Sequence, residues 1–295
     1  MKTLTIFTPS YNRAYCLNQC YESLTNQTNK DFIWLIIDDG STDSTKELVD
    51  EWIKEEKIEI RYYFQENQGM HGAHNTAYDL IATELNVCID SDDWMPADAV
   101  EKILSCWEKF GSDEVSGLVG LDSFKNGKVI GTPLPYHLKR STLFNLYARH
   151  GVKGDKKLVY RSDLTKRHPY PLFEGEKYVG LAYKYYLLDQ DFELLILNEV
   201  ICTVEYLPDG SSRNMLNQYV KNPLGFAFYR KELMKLPFVS AAFKFRQAIH
   251  YVSSSMMSRN KDFLKESPDP VLTLLAIPLG ALLYLYISAK STAAL

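Results

Sequence analysis

The sequence has no C-x-x-C pair, and its five cysteines (Cys16, Cys20, Cys88, Cys106 and Cys202) are odd in number and scattered. Neither a zinc site nor a disulfide framework follows from that spacing, and a reducing compartment is the simplest setting. An excess of basic charge is missing too: 33 Lys and Arg face 37 Asp and Glu, for a net charge of -4. That excludes a broad nucleic-acid footprint, so no nucleic-acid partner is expected. An anionic ligand must instead be gripped locally, by a metal or by a few cations. The loop after the first apolar run, Pro9-Ser10-Tyr11-Asn12-Arg13, contains no glycine. This disfavours nucleotidyl transfer, for which a Gly-rich, cationic phosphate loop is expected at that place. The opening apolar run is too short for a signal peptide, and no internal repeat or low-complexity tract stands out.

What is present is enough apolar material for a folded chain. Hydrophobic residues make up 46% of 295 positions and charged residues 24%, which suits one large α/β domain with an appendage. Aromatics reach 13%, with 20 Tyr, a composition suited to stacking on bases or sugar rings or to a Tyr-rich core. Residues 4–8 read as a β-strand. Residues 32–38 form a nearly unbroken apolar run, as in a central parallel strand covered on both faces. Ser44-Thr45-Lys46-Glu47 has capping-box spacing, with Leu48, Val49, Trp52 and Ile53 following at helical intervals. Residues 58–64 predict a third strand, 73–82 a helix, 85–89 a fourth strand, and Pro96 opens a helix to about Phe110. This order implies a doubly wound, mostly parallel sheet flanked by helices, in which ligands bind at the carboxyl ends of the strands. Further on, Asn126-Gly127 signals a hairpin between 115–121 and 128–130. Strands at 158–160 and 194–197 and a helix at 181–188 follow. Residues 218–263 are helical in composition, with breaks at Pro223 and Pro237.

Three polar clusters fall at strand ends. Asp90-Ser91-Asp92-Asp93 puts three carboxylates into four residues. Unpaired they would repel one another; a hard cation with a diphosphate makes the arrangement sensible. Asp38-Asp39-Gly40-Ser41-Thr42-Asp43 closes the second strand with a carboxylate pair able to accept hydrogen bonds from a base or ribose. In Thr8-Pro9-Ser10-Tyr11-Asn12-Arg13, Tyr11 can stack on a base and Arg13 can meet phosphate. Gly69-Met70-His71-Gly72-Ala73-His74-Asn75, ahead of the predicted third helix, offers a helix N-terminus to an anion, with His71 and Asn75 in reach of a ligand.

Taken together, the three strand-end clusters resemble those of the family 2 glycosyltransferases, which have a GT-A fold, over the first 110 or so residues. The resemblance implies an inverting transfer from a nucleoside-diphosphate sugar, usually a UDP-sugar, aided by Mg²⁺ or Mn²⁺. It further implies that Thr8, Tyr11, Asp39 and Asp90 touch the nucleoside and that Asp92 holds the metal, with Asp90 beside it and Pro9, Asp38 and Ser91 in the same donor pocket. The stretch Gly154-Asp155, then Pro171-Leu172-Phe173-Glu174-Gly175-Glu176-Lys177-Tyr178, looks like the acceptor side of bacterial surface-polysaccharide members. The Glu-Asp pair that supplies the general base there is absent here. Glu176 is the preferred base, with Glu174 and Asp155 as alternates. Glu205 to Arg213 looks like the loop that closes over the diphosphate, with Arg213 supplying positive charge. A non-catalytic nucleotide-sugar-binding scaffold subunit is the reading from outside enzymology.

Positions 271–288 carry no charged residue, just enough length to span a bilayer, but Pro278 and Gly280 interrupt them. A re-entrant or interfacial segment and a buried helix are the other readings. The expected organisation is therefore a GT-A domain over 1–215, with a donor-binding half at 1–115 and an acceptor half at 116–215. A helical extension at 216–295 would touch the inner face of the cell membrane through 271–288, leaving the body cytoplasmic. The expected acceptor is a glycan or a lipid-linked hydroxyl.

Overall fold

The computed structural model describes residues 2–206 and 215–292. Its first half runs β1 (Leu4–Ser10), α1 (Ala14–Thr25), β2 (Phe32–Asp38), α2 (Thr45–Glu55), β3 (Ile60–Phe64), α3 (Gly69–Leu80), β4 (Leu85–Cys88), α4 (Ala99–Phe110) and β5 (Val115–Phe124). There follow β6 (Arg140–Ser141), α5 (Leu143–Ala148), β7 (Lys156–Arg161), α6 (Ser162–Thr165), α7 (Ala182–Leu188) and β8 (Glu193–Val204). The remainder is helical: α8 (Met215–Lys221), α9 (Pro223–Lys235), α10 (Ala241–Met257), α11 (Phe263–Glu266) and α12 (Pro270–Thr292).

The strands form one sheet in the order β3-β2-β1-β4-β7-β5-β8-β6. β1 pairs parallel with β2 and β4, and β2 pairs parallel with β3. β7 enters antiparallel between β4 and β5, which leaves β5 and β8 parallel to the first group. The expected GT-A arrangement, mostly parallel and flanked by helices, is the one present. One edge of the sheet thus gathers the carboxyl ends of β1 to β5 and β8 with the leading end of β7.

All seven residues of β2 are buried, because helices cover both faces of a central parallel strand. Beneath α1 and α2 the core holds a stack of Tyr21, Trp52 and Trp34, with Tyr21 and Trp52 centroids 4.4 Å apart. Two local expectations are corrected. Ser44 makes no capping hydrogen bond; Asp43 does that work, accepting from the Thr45 N–H at 3.1 Å and the Thr45 hydroxyl at 2.6 Å. Also, α3 starts at Gly69 rather than 73, so the His71 cluster is the first turn of the helix and not a loop ahead of it. The Asn126-Gly127 turn is present, with Gly127 N–H donating to the Phe124 carbonyl, although its return segment makes only a bridge at Val129.

The chain divides into two compact units. The first holds the whole sheet with α1, α2, α4, α5 and α6. The second comprises, among the described residues, Gly69–Gly72, Tyr170–Gln190 and residues 215–292. In that unit Pro223 opens α9 at its first turn, and α10 and α12 pack around Tyr251, Val252, Ala248 and Ala276.

Candidate active site

Loops laced to one another form the β1–β2 part of the strand-end edge. Asn12 takes a left-handed conformation (φ 54°). Its N–H donates to the Ser41 hydroxyl at 2.8 Å, and its side-chain oxygen accepts from the Thr42 and Asp43 N–H groups at 2.8 and 3.3 Å. Gly40 has φ 87°, a region that costs glycine nothing, and a Cβ there would sit 2.9 Å from the Asn67 nitrogen. Tyr11 projects from this rim half exposed. Arg13 stacks over the Tyr15 ring, 5.7 Å from its centroid.

The paired carboxylates at the end of β2 have different work. Asp38 is buried and saturated, accepting from the Ser41 N–H at 2.7 Å and the Tyr62 hydroxyl at 2.5 Å. Asp39 accepts from Gln65 Nε2 at 2.7 Å and the Gln68 N–H at 2.8 Å, both through one oxygen. Thr8 is fully buried, its hydroxyl accepting from the Trp34 indole at 3.0 Å. Pro9 lies within β1, flanked by the buried Ser10.

The acidic turn divides in the same manner. Asp93 is buried, accepts from the Glu205 N–H at 3.2 Å, and faces Lys157 Nζ at 3.7 Å. Beside it the backbones of Trp94 and Thr203 exchange hydrogen bonds at 3.0 and 2.7 Å, which fastens the turn to β8. Asp90 and Asp92 stay partly exposed, and Ser91 between them is buried. Asp93 is therefore committed to the fold.

Lys157 and Asp122 complete this edge and were not singled out from the sequence. Lys157 sits on β7 with 12% of its side chain exposed. Burial works against its charge, but the field of Cys202, Asp122, Asp93 and Asp90 outweighs that and holds its pKa well above the usual lysine value. Burial also pushes up the Cys202 thiol, so the carboxylates carry the compensation. The β5–β8 register shifts between Leu121 and Asp122, an irregularity of the kind that re-aims a side chain. Burial pushes Asp122 up to about 6, with Lys157 opposing. Its Oδ1, together with Ser10 Oγ and Gln65 Oε1, is buried without a partner among the described residues. Such atoms are costly unless paired, so a polar ligand or a water at these strand ends would be favourable.

His71 is buried, and burial lowers its pKa to about 4, so the ring is neutral. His74 instead packs edge-on against Phe7 at 5.2 Å and is a core residue. Asn75 lies half-buried one turn after His71.

The three carboxylates expected to include a base differ sharply. In the second unit, Glu176 is buried and spends both oxygens on the first turn of α9, accepting from the Leu224 and Gly225 N–H groups at 2.8 Å each. Glu174 is exposed. Asp155, at the leading end of β7, is exposed and accepts from the Tyr206 hydroxyl at 2.6 Å. Arg213 lies outside the described residues.

Among the described residues no three His, Cys, Asp or Glu side chains converge as a metal cage. Mg²⁺ and Mn²⁺ do not need one: a hard cation arriving with a diphosphate takes one or two carboxylates and completes its shell with phosphate oxygens and water. Asp90 and Asp92 fit that donor set.

The profile described as Glycosyl transferase family 2 matches residues 5–160, a span that includes every residue of this edge except those of β8 and its end. The chain is 36% identical over 115 residues to the teichoic acid poly(glycerol phosphate) polymerase of Staphylococcus epidermidis, which covers 39% of this chain and 16% of that protein. It is 30% identical over 106 residues to the GalNAc(5)-diNAcBac-PP-undecaprenol beta-1,3-glucosyltransferase of Campylobacter jejuni, covering 35% of this chain and 34% of the relative. The matched stretch is thus a minor part of each relative's length. Among solved structures, S. aureus TarS in complex with UDP-GlcNAc superposes with a TM-score of 0.63 at 18% identity, over 90% of this chain and 76% of that one. At that identity the likeness establishes the fold.

Proposed function

The chain belongs to glycosyl transferase family 2, and from that premise we propose that it transfers a sugar, with inversion, from a UDP-sugar to a hydroxyl of a glycan or lipid-linked acceptor. The setting is bacterial surface polysaccharide synthesis at the cytoplasmic face of the membrane. The observation that carries this reading is the divided acidic turn. Asp93 is pinned to Lys157 and β8, while Asp90 and Asp92 are held half-exposed at the strand-end edge.

In this mechanism Tyr11 stacks on the base and Asp39, steadied by Gln65 and Gln68, accepts from the nucleoside. Asp90 and Asp92 would hold the divalent metal, which would supply a Lewis acid against the charge of the departing diphosphate. Thr8 and Asp38 support from behind, because their polar atoms are occupied by Trp34, Ser41 and Tyr62. The general base is assigned to Asp155, which is solvent-accessible and belongs to the same compact unit as the acidic turn. Glu176 is assigned to anchoring α9. The base takes the proton of the acceptor hydroxyl as its oxygen attacks the anomeric carbon, and the bond to the diphosphate oxygen breaks on the opposite face.

Thermal shift with UDP, GDP and their sugars, with and without Mn²⁺, tests the reading. A ligand at 100 times its Kd adds about 2.7 kcal/mol. The expected result is a metal-dependent shift with UDP and one UDP-sugar that disappears in Asp92→Ala. The absence of a shift with any nucleotide overturns the transferase reading.

A further inference from the structure

The second unit carries an apolar face that its own fold leaves uncovered. α12 has no charged residue from Pro270 to the residue before Lys290, and its 23 residues extend for about 34 Å. One side is spent on the protein. Thr273, Ala276, Gly280 and Ile287 are buried at helical intervals, and a Cβ on Gly280 would meet the Val252 side chain of α10. The opposite side shows Val271, Leu274, Leu275, Leu282, Leu285 and Tyr286, each between 56% and 71% exposed. These recur at three- and four-residue steps and make one continuous stripe. A core helix of a water-soluble fold would not be left this way, since so long an exposed apolar stripe marks an interaction surface.

We propose that α12 lies flat within one leaflet of an anionic bilayer, its exposed stripe immersed in the acyl boundary and α10 riding above it at headgroup level. Two observations choose the lipid over a second copy of the chain. Residues 215–292 hold ten Lys and Arg against four Asp and Glu, a local charge of +6 within a chain of net -4. Two such segments facing each other would repel, whereas an anionic leaflet attracts them at about 1 kcal/mol per basic residue near the surface. Exposed Arg246, Arg259, Lys261 and Lys290 belong to that set.

The packing of α10 chooses a flat pose over a crossing one. α12 is apolar all round, and the polar face of the assembly is supplied by its partner. α10 carries Lys244, Arg246, Gln247 and His250 along its length. A spanning α12, whose middle packs on Val252 at Gly280, would carry Arg246 and Lys244 into the hydrocarbon. They lie about 9 and 12 Å back along α10, inside a hydrocarbon half-thickness of about 15 Å, where a charge costs free energy, though less than at the midplane. The interruption expected at Pro278 and Gly280 is absent: α12 runs unbroken through both, so helix continuity does not separate the two poses. In the flat pose the stripe sits roughly 5–10 Å deep and the charged groups remain wet.

This deepens the membrane-side reading above, but it is read out by lipid binding alone and stands or falls separately from nucleotide binding. The experiment is flotation of the purified full chain with phosphatidylcholine vesicles, with and without 30% phosphatidylglycerol. The chain should float with the anionic vesicles, and should do so less in 1 M salt. Leu275→Asp with Leu282→Asp should cut binding at least tenfold while thermal stability is unchanged, because both side chains face outward. Carbonate at pH 11 should release the bound protein. Retention after carbonate would mean that α12 spans the bilayer and would overturn the flat pose. Failure to bind either vesicle, together with a dimer in light scattering that the double substitution dissolves, would assign the stripe to a second copy.

Discussion

Replacing Lys157 by methionine keeps the length and apolar stem of the side chain while removing the cation beneath the acidic turn. The ammonium lies 3.7 Å from Asp93, with 12% and 5% of the two side chains exposed. At that separation and an effective dielectric near 20, the attraction is about 4–5 kcal/mol. Removing one partner of a buried pair costs about 3–5 kcal/mol when the remaining group stays charged. Burial already pushes Asp93 up to about 7 despite Lys157, so the full cost is expected well above that pH and a smaller one below it, where the carboxyl takes up a proton. The expected loss on urea unfolding of Lys157→Met at such alkaline pH is therefore about 3–5 kcal/mol, or a fall in Tm of roughly 6–20 °C for a unit of this size. Adding Asp93→Asn to Lys157→Met should recover much of that loss, because the uncompensated charge is gone. A double-mutant cycle reports this as strong non-additivity. If Lys157→Met stays within about 1 kcal/mol of wild type at that pH, or if the two substitutions simply add, the turn is not held from below by this pair.

Glu176→Gln leaves one oxygen where two accepted N–H donors and sets an amide against the start of α9. It should cost about 1–3 kcal/mol in unfolding assays, while turnover per folded molecule is retained. Asp155→Asn should lower kcat about 10²–10⁴-fold at unchanged stability, and the reverse pattern would return the base to Glu176. On acidification, His71 takes up a proton near pH 6.5 in the unfolded chain but only near 4 in the folded one. The unfolded state therefore binds more protons across that window, and stability declines as pH drops from 6.5 toward 4. His71→Leu should flatten this part of the Tm-against-pH curve, and an unchanged slope would assign the acid sensitivity to other groups.

The donor half of the fold was legible because its signals are local. β2 shows as an unbroken apolar run ending in Asp38, since a strand covered on both faces has no polar side to interrupt it. α1 went unread although Leu17, Cys20, Tyr21 and Leu24 bury one face at helical spacing. Cysteine and tyrosine among Asn, Gln and Ser weaken that pattern. The residues missed at the site depend on distant partners. Lys157 matters because antiparallel β7 enters beside β4 and sets it near Asp93, 64 positions earlier in the chain. Its one local hint is a lysine on the same strand face as the buried Val159. Asp122 is aimed by a register shift against β8, and no local spacing reveals that. Glu176 shows the converse: a carboxylate in an acceptor-like stretch whose oxygens are claimed by α9, 48 and 49 residues downstream.

Three acids in four residues would be a poor design for binding alone, because a hard cation with a diphosphate uses at most two. The geometry gives the third a separate task. Asp93 draws on Lys157 from below and on the Glu205 N–H from the side, so it sets where the turn sits relative to β8. Asp122 and Asp90 act on the same Lys157 charge. Asp90 and Asp92 leave two further carboxylates partly exposed beside Asp93, and a diphosphate approaching them would meet charge of its own sign. Under the proposed function, metal and nucleotide must therefore bind interdependently, each supplying the charge the other lacks. Asp92→Ala should abolish that coupling in an intact fold. Asp93→Asn should instead loosen the turn from β8, and should lower stability whether or not metal is present.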